Sequence, residues 1–201
     1  MPAGLRERKK ARQRQQIVDV AVELFRERGY EKTTVEEIVR RVEISQPTFY
    51  KYFRSKDAVL RHVAGDVLRG WSVGVEKERG ADGEPVADAL QRLYRRLAHM
   101  MTHDRPLWHC IVLADALNPL RFPEQQPAEI EAERGLVAIV SRGQQRGELR
   151  DDLPARHLVE KLVSMQLMSC FAWAANQLEG RSLRAVLREN LEFFLRAASA
   201  R

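Results

Sequence analysis

TTVEEIVRRVEISQPTFYKYFRSKDAVL, residues 33–60, decides how the rest of the chain is read. Thr33 and Thr34 each stand three residues ahead of a glutamate, Glu36 and Glu37, so either register makes a capping box that starts a helix. Val35, Ile38, Val39 and Val42 recur at helical spacing and give that helix one apolar face. Ser45 stands where a second helix needs its N-cap, and Pro47 falls in the first turn, where backbone N–H groups lack intrahelical partners. Phe49 and Phe53, four residues apart, are expected to point inward, which leaves Gln46, Thr48, Tyr50, Lys51 and Tyr52 nearer the outside. Ser55 caps a third helix with Asp57 in its first turn, where the helix dipole favours an acid. Only Glu43 and Ile44 separate the first two helices, a turn as short as a helix-turn-helix requires.

From residue 12 to residue 60 the chain resembles the DNA-binding domain of the TetR (tetracycline-repressor-like) family of bacterial transcriptional regulators. The residues that carry the resemblance are Ile17, Ala21, Leu24, Phe25, Gly29, Tyr30, Thr33, Thr34 and Ile38, followed by SQPTFYKYFRSKDAVL from Ser45. It covers roughly a quarter of the 201 residues. The remainder agrees in length, helical character and a Gly-Glu-Leu run at 147–149 ahead of a late helix pair. One departure is Glu43, where the family usually has a glycine. A non-glycine residue in a left-handed turn costs about 1 kcal/mol, and an acid there stands near the phosphate backbone.

The resemblance implies roles for individual residues. Gln46, next to Ser45 at the start of the recognition helix, pairs with adenine or donates to guanine. Pro47 offers an apolar edge to a thymine methyl, and Tyr50 reaches a base or the adjoining backbone. Thr34, Thr48, Tyr52 and Lys56 fall at phosphate positions, which fix register without reading sequence. Lys51 suits either task. The competing reading of Tyr50 and Tyr52 is that each packs into the small core of the domain.

Charge gives independent support. Residues 1–61 hold fifteen Lys/Arg against nine Asp/Glu, whereas residues 62–201 hold nineteen of each, so the whole formal charge of +6 belongs to the first part. Phosphate neutralisation with counterion release needs such a footprint. The arm before Ile17 carries Arg6, Arg8, Lys9, Lys10, Arg12 and Arg14; it is expected to settle on a phosphate backbone or a minor groove, with the first helix beginning near Arg8. A merely solvated basic N-terminus explains the arm but not the helix beside it.

Other classes find little in the sequence. No apolar run approaches the roughly 20 residues of a membrane span and no signal-peptide core is present, so a cytoplasmic protein is expected. A glycine-rich phosphate loop, a nucleophile elbow and paired carboxylates in an apolar run are all missing, which argues against an enzyme. Cys110 and Cys170 lie inside apolar helical patterns and read as buried thiols, with a redox pair as the alternative. His99 and His103, four apart beside Asp104 and followed by His109 and Cys110, have spacing that can bind zinc, so a metal-responsive regulator is a second reading. A protein that binds nucleic acid without sequence preference is a third. No cofactor is implied.

After residue 61 every segment reads as helix. Expected helices run over 56–77 (loosened near Gly70 and Gly74), 86–101, 106–116, 127–147, 154–178 and from the Ser182 cap to about Ala197, with loops over 80–85 and 118–127. The fold class is therefore all-α: a helix-turn-helix domain over 1–61 and a larger helical domain for effector binding and dimerisation over 62–201. The last two long helices carry more apolar and small surface than their own packing needs, including Val163, Leu167, Phe171 and Phe194. A two-fold interface would bury it, and TetR-like proteins form their homodimer there. Two recognition helices would then meet double-stranded DNA at a palindromic operator. The family also binds small molecules between the helices of this domain. Trp71, Tyr94, Met101, Trp108, His109, Met165, Met168, Phe171 and Trp173 are the pocket residues expected, and they suit an apolar or aromatic effector whose binding releases a repressor from DNA.

Overall fold

The chain's computed structural model describes residues 4–79, 83–117 and 127–200, and its regular elements there are all α-helices. Among these residues the sole extended pairing is one isolated bridge between Leu149 and Ser199. The helices are α1 (Leu5–Arg28), α2 (Val35–Val42), α3 (Gln46–Tyr50), α4 (Lys56–Arg79), α5 (Val86–His103), α6 (Arg105–Leu117), α7 (Pro127–Gln145), α8 (Ala155–Ala174) and α9 (Leu183–Ala198). The connection expected over 118–127 lies, except for its last residue, outside the described residues.

The head is built as the apolar spacing demands. Ile17, Ala21, Leu24 and Phe25 of α1, Ile38 of α2, Phe49 of α3 and Val59 and Leu60 of α4 share one core, and Phe53 closes it. Of the two capping registers, the chain uses Thr34 with Glu37: the Thr34 hydroxyl accepts from the Glu37 amide and the Glu37 carboxylate accepts from the Thr34 amide, both at 3.2 Å. Thr33 is instead fully buried and donates its hydroxyl to the Gly29 carbonyl at 2.9 Å. Glu43 takes the left-handed conformation that its position requires, φ 59° and ψ 43°. Its amide donates to the Arg40 carbonyl and that of Ile44 to the Val39 carbonyl, so the helix still ends in a double-bonded turn. The glutamate therefore keeps the turn at a local conformational cost.

Two expected boundaries move by more than two residues. The first helix begins at Leu5, earlier than residue 8, so the basic arm is a helical extension of α1. The helix placed over 154–178 stops at Ala174, because Asn176 turns left-handed (φ 58°) and Gln177 donates back to the Ala172 carbonyl at 2.7 Å. By contrast α4 runs unbroken past Gly70 and Gly74, and residue 61 lies inside it.

The larger domain has two cores. One is formed by Trp71 and Val75 of α4, Leu90 and Leu93 of α5, Leu136 and Ile139 of α7 and Leu158 and Leu162 of α8. The other gathers Met101, Trp108, Cys170, Trp173 and Leu187 nearer the head. Two glycines let helices close on α7: a Cβ on Gly135 would stand 2.5 Å from a methyl of Val75, and one on Gly143 would stand 2.8 Å from a methyl of Val86.

Helix α6 ties head to body. Its Leu107 and Cys110 belong to the head's core while Trp108 and Val112 belong to the second core of the body. The Cys110 thiol donates to the Phe25 carbonyl at 3.6 Å, and Arg26 of α1 forms a forked ion pair with Asp104 at the α5–α6 turn.

Candidate functional site

The short helix α3 presents one polar face. Gln46, Pro47, Tyr50 and Lys51 are exposed on it, Tyr50 to 50%, while Phe49 behind them is fully buried. The Tyr50 ring packs edge-on to Phe49 at 5.5 Å, so its base is anchored and its hydroxyl end is outside. This decides between the two readings of Tyr50. Tyr52 is intermediate: it packs beside the head core, and its hydroxyl donates to Gln13 Oε1 of α1 at 2.9 Å. Ser45 holds the N-cap position, yet its hydroxyl bonds the Thr48 hydroxyl at 2.9 Å and not a backbone amide. Both hydroxyls thus stand at the outer start of α3.

Gln46 is held by a neighbour that sequence reasoning missed. Its Nε2 donates to Glu36 Oε1 of α2 at 3.0 Å, which leaves the Gln46 carbonyl oxygen aimed away from that contact. Thr34 is exposed beside α2, its oxygen engaged as the cap acceptor and its proton available to a further acceptor.

Lys56 was expected at a phosphate. Its ammonium instead donates to the carbonyls of Tyr30 at 2.9 Å, Thr33 at 3.0 Å and Glu31 at 3.4 Å, and it stands 4.3 Å over the Tyr30 ring. The Tyr30 hydroxyl in turn bonds Asp57. An ammonium has three donors, so this arrangement satisfies Lys56 within the head and gives it the work of holding the α1–α2 turn. Spacing alone cannot tell a lysine that reaches outward from one that folds back over a preceding turn.

His62, nearly two turns into α4, packs its ring at a tilt against Phe53 at 5.8 Å. Burial and then the charges of Arg14 and Arg69 push its pKa down, and these outweigh the exposed Asp66 carboxylate at 3.8 Å.

The nine residues nominated for an effector do not meet in one place. Trp71 and Tyr94 pair at 6.0 Å inside the first core, with Met165 at its edge. Met101, Trp108 and Trp173 are in the second, with Phe171 at its edge. Met168 is 63% exposed, because one turn of α8 places it with Ser164 and Leu167 on the outer face, so it is not a pocket residue in this chain. His109 lines a crevice between α6 and α1 with Phe25 and Arg105.

The outer face of α8 carries Val163, Leu167 and Met168, all exposed, and α9 adds Phe193 at 67%. Asn190, three residues before Phe193, donates to the Met165 carbonyl and to Ser169, which fixes this flank of α9 against α8.

The histidine pair has its rings 6.0 Å apart, but Asp104 is taken by Arg26. Among the described residues no group of three or more His, Cys, Asp or Glu side chains is arranged to hold a metal ion. Burial pushes the thiol of Cys110 up to about 11 and that of Cys170 up to about 12, so both stay protonated near neutral pH; Cys170 lies 3.6 Å from the sulfur of Met101. No described helix is long and apolar enough to cross a membrane.

Comparison with known proteins agrees with this geometry. The family of bacterial regulatory proteins of the tetR type matches residues 17–63, and the C-terminal domain of TetR/AcrR family transcriptional repressors matches residues 72–197. The HTH-type transcriptional regulator TcmR of Streptomyces glaucescens is 50% identical over 56 residues, 28% of this chain and 25% of that protein. The HTH-type transcriptional repressor ComR of Escherichia coli is 26% identical over 78% of this chain and 77% of its own length. Among solved structures, the Thermus thermophilus repressor FadR in complex with lauroyl-CoA superposes with a TM-score of 0.73 at 30% identity, covering 94% of this chain and 96% of that one.

Proposed function

Because this chain belongs to the TetR family of bacterial transcriptional regulators, which bind DNA and are not enzymes, we propose that it acts as a homodimeric repressor released from a palindromic operator by an effector. The observation that carries the DNA half is the exposed Gln46–Pro47–Tyr50–Lys51 face of α3, seated on a fully buried Phe49. Gln46 reads a base edge, with Tyr50 and Lys51 beside it, while Thr34, Thr48 and Tyr52 meet phosphates. The amino-terminal half of α1, rich in Arg and Lys, supplies charge over the adjoining backbone.

The dimer half rests on the exposed Val163, Leu167, Met168 and Phe193, which a second copy would bury as an isologous interface. The effector half rests on the two-core body and on the likeness to a repressor solved with lauroyl-CoA; an amphiphile with an apolar chain, of the fatty acyl-CoA class, fits both. An effector shifts the DNA-competent state only through its differential affinity for the two conformations. Helix α6 and the Arg26–Asp104 pair are the contacts through which the body would act on the head.

Selection of bound duplexes from a random library tests this reading. Recovery of one palindromic motif is the expected result. Enrichment of no motif would reduce the basic head to binding without sequence preference and overturn the operator.

A further inference from the structure

We propose that the groove between α5 and α9 is an anion site that receives the phosphates of the effector; the proposal deepens the effector reading above and rests on it. The groove encloses about 530 Å³, with Arg92, Arg95, Arg96 and His99 on its α5 side, Glu78 contributed by α4 and Arg184 by α9. Past Arg95 and Arg184 lies a narrower pocket of about 180 Å³, lined by Tyr94, Leu187 and Leu191 on one hand and by Gln91 and the Arg188–Glu192 pair on the other.

The charges in the groove do not cancel. Arg92 is paired with Glu78 and Glu84. Arg95, Arg96 and Arg184 have no ion pair and no hydrogen bond among the described residues, although Arg79, Arg146, Arg150, Arg156 and Arg181 of the same domain each face an acid. Residues 62–201 are neutral as a whole, so three unneutralised guanidinium groups in one groove are a local concentration and not a general excess. Like charges crowded into one groove favour an anionic guest. The planar guanidinium fork matches phosphate oxygens in pairs. Arg96 lies across Gly74 of α4, where a Cβ would come within 3.4 Å of its Nη1, so α4 leaves room for that side chain.

The inner end is mixed, with an apolar patch among polar side chains. Tyr94 is 4% exposed and lines the narrower pocket with Leu187 and Leu191. Gln166, 3% exposed, donates to the carbonyl of Leu187 at 3.1 Å, and its own Oε1 has no partner. Buried polar atoms are nearly always satisfied, and Gln166, bonded to the backbone of the pocket-lining Leu187, keeps one acceptor free. Unpaired cations with the Tyr94–Leu187–Leu191 patch beyond them complement an amphiphilic phosphate ester. A coenzyme A thioester and a free nucleotide share the phosphate chemistry. Phe193 lies about 180° around α9 from Arg184, so pairing of two copies through α8 and α9 leaves the groove open.

The test is calorimetric titration of the full chain with lauroyl-CoA, coenzyme A, inorganic pyrophosphate and lauric acid, comparing the parent with the double variant Arg95→Ala/Arg184→Ala. Binding of the selected operator by the variant certifies its fold, and Arg95→Lys/Arg184→Lys tests charge against fork geometry. We expect the alanine variant to bind lauroyl-CoA and coenzyme A at least about tenfold more weakly and lauric acid unchanged, with the lysine variant in between. Equal affinity of parent and alanine variant for lauroyl-CoA would overturn the site. So would failure of lauroyl-CoA, coenzyme A and pyrophosphate all to bind the parent, and operator recognition would stand in either case. Arginine-dependent binding of coenzyme A or pyrophosphate with no gain from the acyl chain would keep the anion site and sink the acyl effector.

Discussion

The head and the body of this protein solve different problems with the same element type. The head is held by one small core around Phe49, with short helices whose ends are specified residue by residue: a reciprocal cap at Thr34, a left-handed turn at Glu43 and a lysine folded over three carbonyls. The body divides its apolar residues between two cores, keeps a polar orphan at Gln166 and leaves arginines unpaired in a groove. Rigidity suits a surface that must match a duplex; incomplete satisfaction suits one that must accept a guest. The contrast is local, because both regions share α4 and α6.

The largest expected effect breaks the head alone. Phe49→Ala empties the centre of its core and should cost about 3–5 kcal/mol, abolishing operator binding. Loss of helical circular dichroism confined to a fraction of the signal, with the body still melting cooperatively, is the expected trace. A single melt that carries the whole molecule down would instead mean that head and body fold as one unit.

Next come two polar residues that separate reading from holding. Gln46→Ala should cost about 1–3 kcal/mol on the selected operator, relax preference at one base pair and leave the melting temperature alone. Lys56→Met should remove the bonds to the Tyr30, Glu31 and Thr33 carbonyls, lowering the melting temperature by the equivalent of about 1–3 kcal/mol and weakening all duplexes alike. If Lys56→Met changes only the salt dependence of DNA binding and leaves the melt untouched, the lysine faces a phosphate after all.

A smaller gain is expected at the turn. Glu43→Gly removes the left-handed cost and should stabilise the head by about 1 kcal/mol, read as a rise in melting temperature. No rise would mean that the two backbone bonds there already hold the glutamate without strain.

The smallest effect is in pH. The His62 pKa is lowered in the folded head, so the fold binds fewer protons than the unfolded chain between the two values. Stability is unaffected above the ordinary histidine pKa of about 6.5 and falls as the pH drops through the window beneath it. His62→Gln should flatten that fall, and a melting temperature equally sensitive to acid in both proteins would remove His62 from the account.

The same contrast governs what could be read from sequence. The head was legible because capping residues, Pro47 and the Phe49–Phe53 spacing act over a few residues, and periodicity alone assigned the all-α body. Lys56 reads as outward because sequence does not carry the direction of a long side chain; its partner, the Tyr30 carbonyl, belongs to another element, as does Glu36, which holds the exposed Gln46. Met168 was drawn into a pocket by its type, whereas its exposure follows from its place around α8. The arginine groove escaped because Arg95 and Arg184 are 89 positions apart, and only the packing of α9 against α5 brings them together. No local pattern announces which of many arginines will lack an acid.

Helix α4 has one further consequence. Its 24 residues pass unbroken from the head's core, through Val59 and Leu60, to Trp71 and Val75 in the body. At 1.5 Å per residue it is a rod of about 36 Å, and a tilt of about 5° at one end displaces the other by about 3 Å. In a pair of such molecules the two rods would act as the arms of a caliper. The jaw opening would then be set by what wedges between α4 and its neighbours, so even a guest that never comes near the duplex would change the gauge to which the protein fits.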